Sequence, residues 1–245
     1  MSLIRVIVNG SKGRMGLESV KAIREDPKLD LVAQTDLNDN LSEIINQSRA
    51  QVVLDFTDAE VVMDVTLRII EAGARPVIGT SGLLPPQVNE LQTLCRKLKI
   101  GGLIAPNFAI GAVLMMKYSK DAAKYLPNAE VIELHHDGKL DAPSGTAIKT
   151  ASLIAESRKN FSKKKSHEKE IIQGSRGGDT EGIRVHSIRL PGLIAHQEVI
   201  FGGKSQTLTI RHDSTHRESF MPGVCLACKK VMDLNELVYG LENLL

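Results

Sequence analysis

Short apolar runs and segments of helical periodicity alternate along the first hundred residues. The apolar runs cover residues 3–8, 31–35, 51–56, 75–78 and 102–105, and helical patterns follow the first, third and fourth of them. Strands that alternate with helices through short connections form a parallel sheet with right-handed crossovers. The N-terminal part of the chain is therefore predicted to be α/β, with a doubly wound parallel sheet.

A turn with glycines at positions 10, 13 and 16 follows the first strand. It is related to the Gly-x-Gly-x-x-Gly turn of dinucleotide-binding folds but lacks a glycine at position 12. The second strand ends in Asp36, about where such folds place the carboxylate that binds the adenosine ribose hydroxyls. These features predict a Rossmann-like dinucleotide-binding domain. The alternative is an ordinary strand-to-helix turn in another doubly wound domain.

Small polar residues follow two later strands of the predicted sheet. Gly79, Thr80 and Ser81 come after the strand at 75–78, and Asn107 comes after the strand at 102–105. Open parallel sheets bind ligands at the carboxyl ends of their strands. These four residues are candidates for lining a nicotinamide pocket, although turn formation alone also explains them.

The densest group of polar residues lies in the segment 133–147, ELHHDGKLDAPSGTA. An apolar run leads into it and a helical pattern follows, so we expect a strand, a loop and a helix start. The segment contains His135, His136 and Lys139; histidine as a residue type titrates near neutral pH, and lysine is a cation that burial can bring toward neutrality. Together they suggest a pocket that delivers a proton, unless they are strand-end histidines beside a solvated lysine.

The same segment predicts an anion-binding site at the start of the helix. Gly145 and Thr146 fall in its first turn, with Ser144 or Asp141 as the capping residue. Backbone amides without partners at a helix N-terminus bind carboxylates and phosphates. An ordinary cap without a ligand is the alternative.

The second half of the chain has a different pattern. A helix is predicted over 110–126, a strand over 129–136, a helix over 146–156 and strands over 183–190, 193–201 and 206–212, with a hairpin turn at Gly202-Gly203. Alternating residues at 207–211 indicate an open sheet with one wet or ligand-facing side. Helices predicted over 218–232 and 235–245 return to the first domain, which is then discontinuous.

Composition excludes several classes of function. The net charge of +2 and the 3% aromatic content do not favour nucleic-acid binding. The run Lys163–Lys165 has no interleaved aromatic residues and is interpreted as a solvated loop. No apolar stretch reaches the length of a membrane span and no secretory pattern is present, so we expect a soluble, cytoplasmic protein without membrane partners.

Three cysteines do not form a disulfide framework. Cys225 and Cys228 have a C-x-x-C spacing, but they lie in a helical pattern without a second pair or a matching histidine pair. We interpret them as buried or half-buried free thiols and predict no metal site.

These motifs together resemble the dihydrodipicolinate reductase (4-hydroxy-tetrahydrodipicolinate reductase) family along essentially the whole chain. The segment 133–147 is similar to the family signature Glu-x-His-His-x-x-Lys-x-Asp-Ala-Pro-Ser-Gly-Thr-Ala. The same order of motifs is present at 13–16, 55–57, 79–82 and 107–108. The resemblance implies a cofactor domain at 1–107 with 217–245, and a substrate-binding and tetramerisation domain, an α+β unit with an open mixed sheet, at 108–216.

The resemblance also implies an activity and its residues. The enzyme would use NADH or NADPH to reduce a cyclic imine dicarboxylate, 4-hydroxy-tetrahydrodipicolinate, in the diaminopimelate route to lysine, as a homotetramer. His135 would be the catalytic proton donor or acceptor and Lys139 a proton donor, while His136, Gly145 and Thr146 would contact the substrate. The implied cofactor-binding residues are Gly10, Ser11, Lys12, Gly13, Arg14, Met15, Asp36, Gly79, Thr80, Ser81, Ala105, Pro106, Asn107 and Phe108.

One departure from the family pattern bears on the cofactor. Many members have an arginine directly after the ribose-binding acid, whereas this chain has Leu37. A 2′-phosphate would meet the Asp36 carboxylate without an adjacent cation, which predicts a bias toward NADH. Lys12 or Arg14 would offset that bias in part.

Two other functions remain open on the sequence. One is a different two-domain NAD(P)-dependent dehydrogenase acting on an amino acid or sugar. The other is a non-catalytic dinucleotide sensor, for which His135, His136 and Lys139 would serve no purpose as proton donors.

Overall fold

The computed structural model describes residues 2–158 and 169–245. It divides into one unit of Met1–Ile110 with Arg217–Leu245 and a second unit of Gly111–His216. The Lys163–Lys165 run lies outside the described residues. Within the described ranges, no helix has both the length and the apolar character that crossing a bilayer requires.

The described residues contain eleven strands and seven α-helices. In chain order the strands are β1 (Ile4–Asn9), β2 (Leu29–Thr35), β3 (Val52–Asp55), β4 (Arg75–Ile78), β5 (Gly102–Ile104), β6 (Asn128–His135), β7 (Gly178–Thr180), β8 (Ile183–Arg189), β9 (Ala195–Gly203), β10 (Gln206–Ser214) and β11 (Leu237–Tyr239). The helices are α1 (Arg14–Glu25), α2 (Leu41–Ser48), α3 (Val62–Glu71), α4 (Pro85–Leu98), α5 (Ile110–Ala122), α6 (Gly145–Ser157) and α7 (Met221–Lys230). Short 3-10 helices cover Arg217–Phe220, Val231–Asp233 and Leu241–Leu244.

The first unit is built on a six-stranded sheet in the order β11-β5-β4-β3-β1-β2. Every pair of neighbouring strands is parallel. Ile7, Val53 and Ile78 are fully buried, as expected for strands covered on both faces. The chain order reverses between β1 and β3, and ligands of open α/β sheets bind outside the carboxyl ends of strands at such a point. The predicted α/β class with a Rossmann-like parallel sheet is confirmed.

Two elements of this unit differ from the sequence prediction. The segment 235–245 was predicted to be helical, but its residues 237–239 form β11, which pairs with β5. A three-residue strand is too short to show a period of two, and pairing with a distant strand overrides the local pattern. Helix α2 was not predicted, although its capping residue Asn40 accepts a hydrogen bond from the Glu43 amide at 3.4 Å.

The second unit contains a five-stranded sheet in the order β10-β9-β6-β8-β7. β6 and β8 are parallel, whereas the other pairs are antiparallel. Helix α6 packs on β6 and β8 with Ala147, Ala151 and Ile154 fully buried. The predicted open mixed sheet is therefore confirmed.

The hairpin between β9 and β10 turns later than predicted. Gly202 and Gly203 are paired residues of β9, and the turn is formed by Lys204 and Ser205, whose φ is +58°. The prediction of one wet side for β10 was incomplete, because residues 206–209 are exposed on both faces of this edge strand. β7 was not predicted, since three polar or glycine residues give no apolar period.

Candidate active site

The glycine turn after β1 is tight enough to require glycine at two positions. Gly10 has a φ of +76°, and a Cβ there would lie 2.5 Å from the carbonyl oxygen of Phe56. A Cβ on Gly16 would lie 2.1 Å from the carbonyl oxygen of Gly10. The turn therefore brings the start of α1 close to β1 and β3. Such a helix start, with amides that lack partners in the helix, suits a pyrophosphate.

Asp36 lies directly beside this turn, as predicted for a ribose-binding acid. Its Oδ2 accepts hydrogen bonds from Ser11 Oγ at 3.4 Å and from the Lys12 amide at 3.3 Å. The Lys12 ammonium lies 3.9 Å from the same oxygen. Leu37 is 61% exposed, so the residue after the acid presents an apolar side chain to solvent.

A buried polar network links the carboxyl ends of β1, β2, β3 and β4. Asn9 Nδ2 donates to Asp55 Oδ1 at 2.8 Å, and Asn9 Oδ1 accepts from Thr35 Oγ1 at 2.8 Å. Thr57 Oγ1 and Thr80 Oγ1 also donate to Asp55, at 3.0 and 2.6 Å. Burial raises the pKa of Asp55, and the bonds from Thr80, Asn9 and Thr57 oppose that shift. The network fixes the turn and the Thr80 loop relative to each other.

Sequence reasoning did not single out Asn9. The available signal was its position at the end of a buried strand, where a polar side chain needs a partner.

The loop after β4 packs against two aromatic rings. A Cβ on Gly79 would lie 2.1 Å from Phe56 Cε1, so only glycine allows the Phe56 ring to lie there. The Phe56 and Phe108 rings form an edge-on pair with centroids 5.8 Å apart. Ala105 and Phe108 are buried, whereas Ser81 and Pro106 are exposed. Asn107 Oδ1 accepts a hydrogen bond from the Ala109 amide at 2.8 Å. The candidates after β4 and β5 thus lie at one edge of the sheet.

In the second unit, His135 is the last residue of β6 and contacts a buried carboxylate. Its Nδ1 forms a short hydrogen bond with Glu133 Oε2. Glu133 is fully buried and also accepts two hydrogen bonds from the Arg189 guanidinium, at 2.8 and 3.0 Å. Burial lowers the pKa of His135 and outweighs the opposing effect of Glu133.

Glu133 and Arg189 were not identified as site residues from the sequence. The period of two along a strand places Glu133 and His135 on the same face, and this was the available signal. The role of Arg189 depends on the register of β6 with β8, where His135 lies opposite Arg189. That register is a long-range property of the fold.

The loop from His136 to Ser144 carries the predicted lysine and the predicted cap. The Lys139 amide donates to the His136 carbonyl at 3.1 Å, and the Lys139 ammonium donates to Asp141 Oδ1 at 2.6 Å. Ser144 is the cap of α6, because its Oγ accepts from the Ala147 amide at 3.2 Å. Of the two capping residues left open by the sequence, the structure selects Ser144.

Gly145 and Thr146 occupy the first turn of α6, as predicted. A Cβ added to Gly145 would meet no atom within 4 Å, so this helix start is open to a ligand. The second unit thus places an imidazole, an ammonium and a helix N-terminus in one loop.

The cysteines lie apart from these loops in the sequence and are all buried free thiols. Burial raises the pKa of Cys95 and of Cys225 to about 11 and that of Cys228 further. Such thiols are unreactive near neutral pH. In the described part of the chain, no group of three or more His, Cys, Asp and Glu residues is arranged to hold a metal ion.

The fold and these loops define a class of protein: a two-unit oxidoreductase with a Rossmann-like unit for a nicotinamide dinucleotide. The chain belongs to the dihydrodipicolinate reductase family. The model of the N-terminal part of that family matches residues 4–108, and the model of its C-terminal part matches residues 111–245. The family predicted from the motifs is confirmed, and so is the class of enzyme, an NAD(P)H-dependent oxidoreductase.

Relatives match over nearly their whole length. A 4-hydroxy-tetrahydrodipicolinate reductase of Listeria monocytogenes serotype 4b is 50% identical, covering 99% of this chain and 100% of the relative. The enzyme of the same name from Legionella pneumophila (strain Paris) is 52% identical, covering 98% and 99%. A solved dipicolinate-bound dihydrodipicolinate reductase from Paenisporosarcina sp. TG-14 superposes with a TM-score of 0.92 at 44% identity, covering 99% and 100%.

Proposed function

We propose that this chain uses NAD(P)H to reduce 4-hydroxy-tetrahydrodipicolinate to tetrahydrodipicolinate, in lysine biosynthesis by the diaminopimelate route. The observation that carries the proposal is the loop from His135 to Thr146, which combines proton donors with an open helix N-terminus. This loop occurs in a chain about half identical to full-length reductases of that name. A cyclic dicarboxylate needs both anion-binding groups and a proton source, and the loop supplies both.

We assign proton transfer to His135 and Lys139. The bond from Nδ1 to Glu133 leaves Nε2 as the nitrogen of His135 that exchanges a proton with the substrate. Lys139 is a half-buried ammonium in the same loop, close enough that its charge contributes to the low pKa of His135. A positioned acid or base contributes about 10²- to 10⁴-fold to a rate.

We assign binding of the substrate carboxylates to His136, Gly145 and Thr146. Helix α6 has 13 residues, so its dipole and first-turn amides favour an anion at its N-terminus. The Ser144 hydroxyl accepts from the Ala147 amide, so Ser144 caps the helix and Gly145 and Thr146 form the first turn beside it. His136 lies at the start of the same loop and adds a donor.

We assign the cofactor to the loops at the carboxyl edge of the first sheet. The turn from Gly10 to Met15 would hold the pyrophosphate, and Asp36 the adenosine ribose. The loops Gly79–Ser81 and Ala105–Phe108 would hold the nicotinamide, which supplies the hydride when it is bound. Because the exposed Leu37 replaces a cation beside Asp36, we expect NADH to be the better cofactor.

We further propose that the protein is a cytoplasmic homotetramer. β10 is an edge strand whose residues 206–209 are exposed on both faces, and Leu208 is 40% exposed. An exposed edge strand with apolar residues favours pairing with another chain. The three buried free thiols are compatible with a reducing compartment.

The decisive experiment mixes the purified protein with NADH and 4-hydroxy-tetrahydrodipicolinate and measures the loss of NADH absorbance. A panel of 2-oxo and 2-amino acids, with NADH or NAD as each requires, is assayed in parallel. Turnover of the cyclic imine alone supports the proposal. Turnover of a panel member instead would identify a different dehydrogenase, and NADH binding without any turnover would identify a sensor.

A further inference from the structure

Glu133 is a fully buried carboxylate between two groups that belong to different strands. Its Oε1 accepts from Arg189 Nη2 at 2.8 Å, and its Oε2 accepts from Arg189 Nη1 at 3.0 Å and contacts His135 Nδ1. Ser187 donates a further hydrogen bond. Burial opposes ionisation, but the bonds from Arg189, Ser187 and His135 hold the pKa of Glu133 below its usual value. Glu133 is therefore an anion at neutral pH.

Arg189 connects this carboxylate to the Lys139 side of the loop. Besides the two bonds to Glu133, its Nη2 donates to the Asp141 carbonyl oxygen at 2.7 Å. The Asp141 carboxylate in turn accepts a hydrogen bond from the Lys139 ammonium. His135 and Lys139 are thus linked through Glu133, Arg189 and Asp141 within the second unit, with the backbone carbonyl of Asp141 bonded to Arg189 and its carboxylate bonded to Lys139.

The charges that act on His135 come from its own strand, the neighbouring strand and the following loop. Glu133 raises its pKa, whereas Lys139 and Arg189 lower it. Ala195 of β9 lies opposite His135, and the buried face of α6 is uncharged. Glu133 and Arg189 therefore act on the protonation of His135 in opposite directions.

We propose that Glu133 and Arg189 are positioning residues. Glu133 fixes the tautomer and orientation of His135, and Arg189 connects Glu133 to the loop that carries Lys139. The inference rests on the proposed function for its effect on turnover. The Glu133 carboxylate holds Nδ1, so the proton exchanged with the substrate is on Nε2. Arg189 holds the carboxylate in place and anchors the Asp141 backbone. Neither residue needs to touch the substrate in this role.

The test compares Glu133→Gln with Arg189→Gln by two readouts in the full-length protein. The titration of His135 is followed by NMR of the imidazole, assigned by its loss in His135→Gln. We expect the His135 midpoint to fall by about 1 pH unit in Glu133→Gln, as for a charge within hydrogen-bonding distance. It should rise by a smaller amount in Arg189→Gln, because Arg189 bonds to Glu133 and acts on His135 from the far side of that carboxylate. The corresponding inflection in the pH profile of kcat should move in the same directions.

The second readout separates kcat from KM. In both variants we expect kcat to fall about 10- to 100-fold, the cost of misplacing a reacting group by about 1 Å. The KM for NADH should stay within about twofold, because the cofactor loops belong to the other unit. A purely structural role would lower thermal stability without moving the His135 midpoint in opposite directions.

The chain provides a matched control on the same strand. Glu130 of β6 pairs with Arg176 and with His186, whose Nε2 lies 2.8 Å from Glu130 Oε2, so it forms a similar Arg–Glu–His group. Glu130→Gln should leave kcat and the His135 midpoint unchanged. If Glu133→Gln does not fold, Arg189→Lys is tested instead, because a lysine keeps the positive charge but cannot form the bidentate contact with Glu133. In that variant kcat falls while the His135 midpoint changes little.

The inference would be overturned by an unchanged kcat in the two glutamine variants. It would also be overturned if the His135 midpoint stayed at the wild-type value in both variants, or moved in the same direction in both. Failure of the proposed function looks different. In that case His135→Gln keeps full turnover, or the cyclic imine is not a substrate, while the NMR midpoints still report whether Glu133 and Arg189 control the imidazole.

Discussion

The Lys139 ammonium lies 2.6 Å from Asp141 Oδ1, and the two side chains differ in exposure, at 22% for the lysine and 61% for the aspartate. The ammonium is thus half-buried, whereas its carboxylate partner is exposed to solvent. An exposed carboxylate can turn away when a dicarboxylate ligand takes its place, because exposed ion pairs are worth only about 0–1 kcal/mol.

Replacing Lys139 by alanine is expected to lower kcat by roughly 10²-fold or more, since it removes a proton donor. Steady-state kinetics with NADH and the cyclic imine measure the effect. Lys149→Ala is the matched control, because Lys149 is an exposed lysine on α6 in the same unit. Near-normal kcat in Lys139→Ala would show that this lysine is not a proton donor.

Cofactor preference is expected to follow the residue after Asp36. The wild-type protein should have a higher kcat/KM with NADH than with NADPH, because a 2′-phosphate would approach the Asp36 carboxylate beside the exposed Leu37. Leu37→Arg should shift the ratio toward NADPH by about 10- to 150-fold, as one charge-assisted contact is worth about 1.5–3 kcal/mol. Parallel kinetics with both cofactors measure the ratio.

Leu98→Arg is the control for this substitution, since it places the same cation on a 45% exposed leucine at the end of α4. Its cofactor ratio should match the wild type. A wild-type preference for NADPH would mean that Lys12, 3.9 Å from Asp36, or Arg14 supplies enough positive charge to hold the phosphate.

Local patterns predicted most of the fold. The strand, glycine turn and helix around Gly10 are encoded within about 25 residues, and a buried strand, a positive φ and a capped helix each have a local signature. The same is true of β6, Ser144 and α6. These are the parts of the candidate site for which residue type and spacing sufficed.

The remaining parts depend on contacts between distant residues. Asn9 and Asp55, which are hydrogen-bonded, are 46 positions apart in the sequence, and they lie at the ends of the neighbouring strands β1 and β3. Arg189 reaches Glu133 across 56 positions, and β11 pairs with a strand more than 130 positions earlier. No window of sequence contains such a pair, so its hydrogen bonds follow only from the sheet order and register.

Association of the second unit is expected to depend on the exposed edge of its sheet. Mass measurement by light scattering should give four times the chain mass of 26.7 kDa. Leu208→Asp should yield smaller species, because it places a charge on an apolar residue of β10. Leu98→Asp, the same change on an exposed leucine of the first unit, should leave the mass unchanged. A monomeric wild-type protein would refute the tetramer, and a tetrameric Leu208→Asp would exclude this strand as the interface.

Removal of the Asn9 side chain is expected to destabilise the first unit. Asn9→Ala deletes the 2.8 Å hydrogen bond to Asp55, an acceptor buried with it. A hydrogen bond to a charged group contributes about 1.5–3 kcal/mol, so the free energy of unfolding should fall by roughly that amount when Asp55 is ionised. Urea unfolding measures the change. Asn89→Ala, an exposed position on α4, should change stability by less than about 0.5 kcal/mol.

The size of the Asn9→Ala effect should depend on pH in a direction set by Asp55. Burial raises the pKa of Asp55 above its usual 3.8, so the folded state binds a proton more readily than the unfolded chain. Binding of that proton therefore stabilises the folded state fully at a pH below the pKa of Asp55 in the unfolded chain. This stabilisation is lost as the pH rises through the pKa of Asp55 in the folded protein. Asn9 favours the ionised form, so the loss in Asn9→Ala should be larger at a pH above the folded pKa of Asp55 than at a pH below it. An equal loss at both pH values would show that Asp55 has the same charge at both.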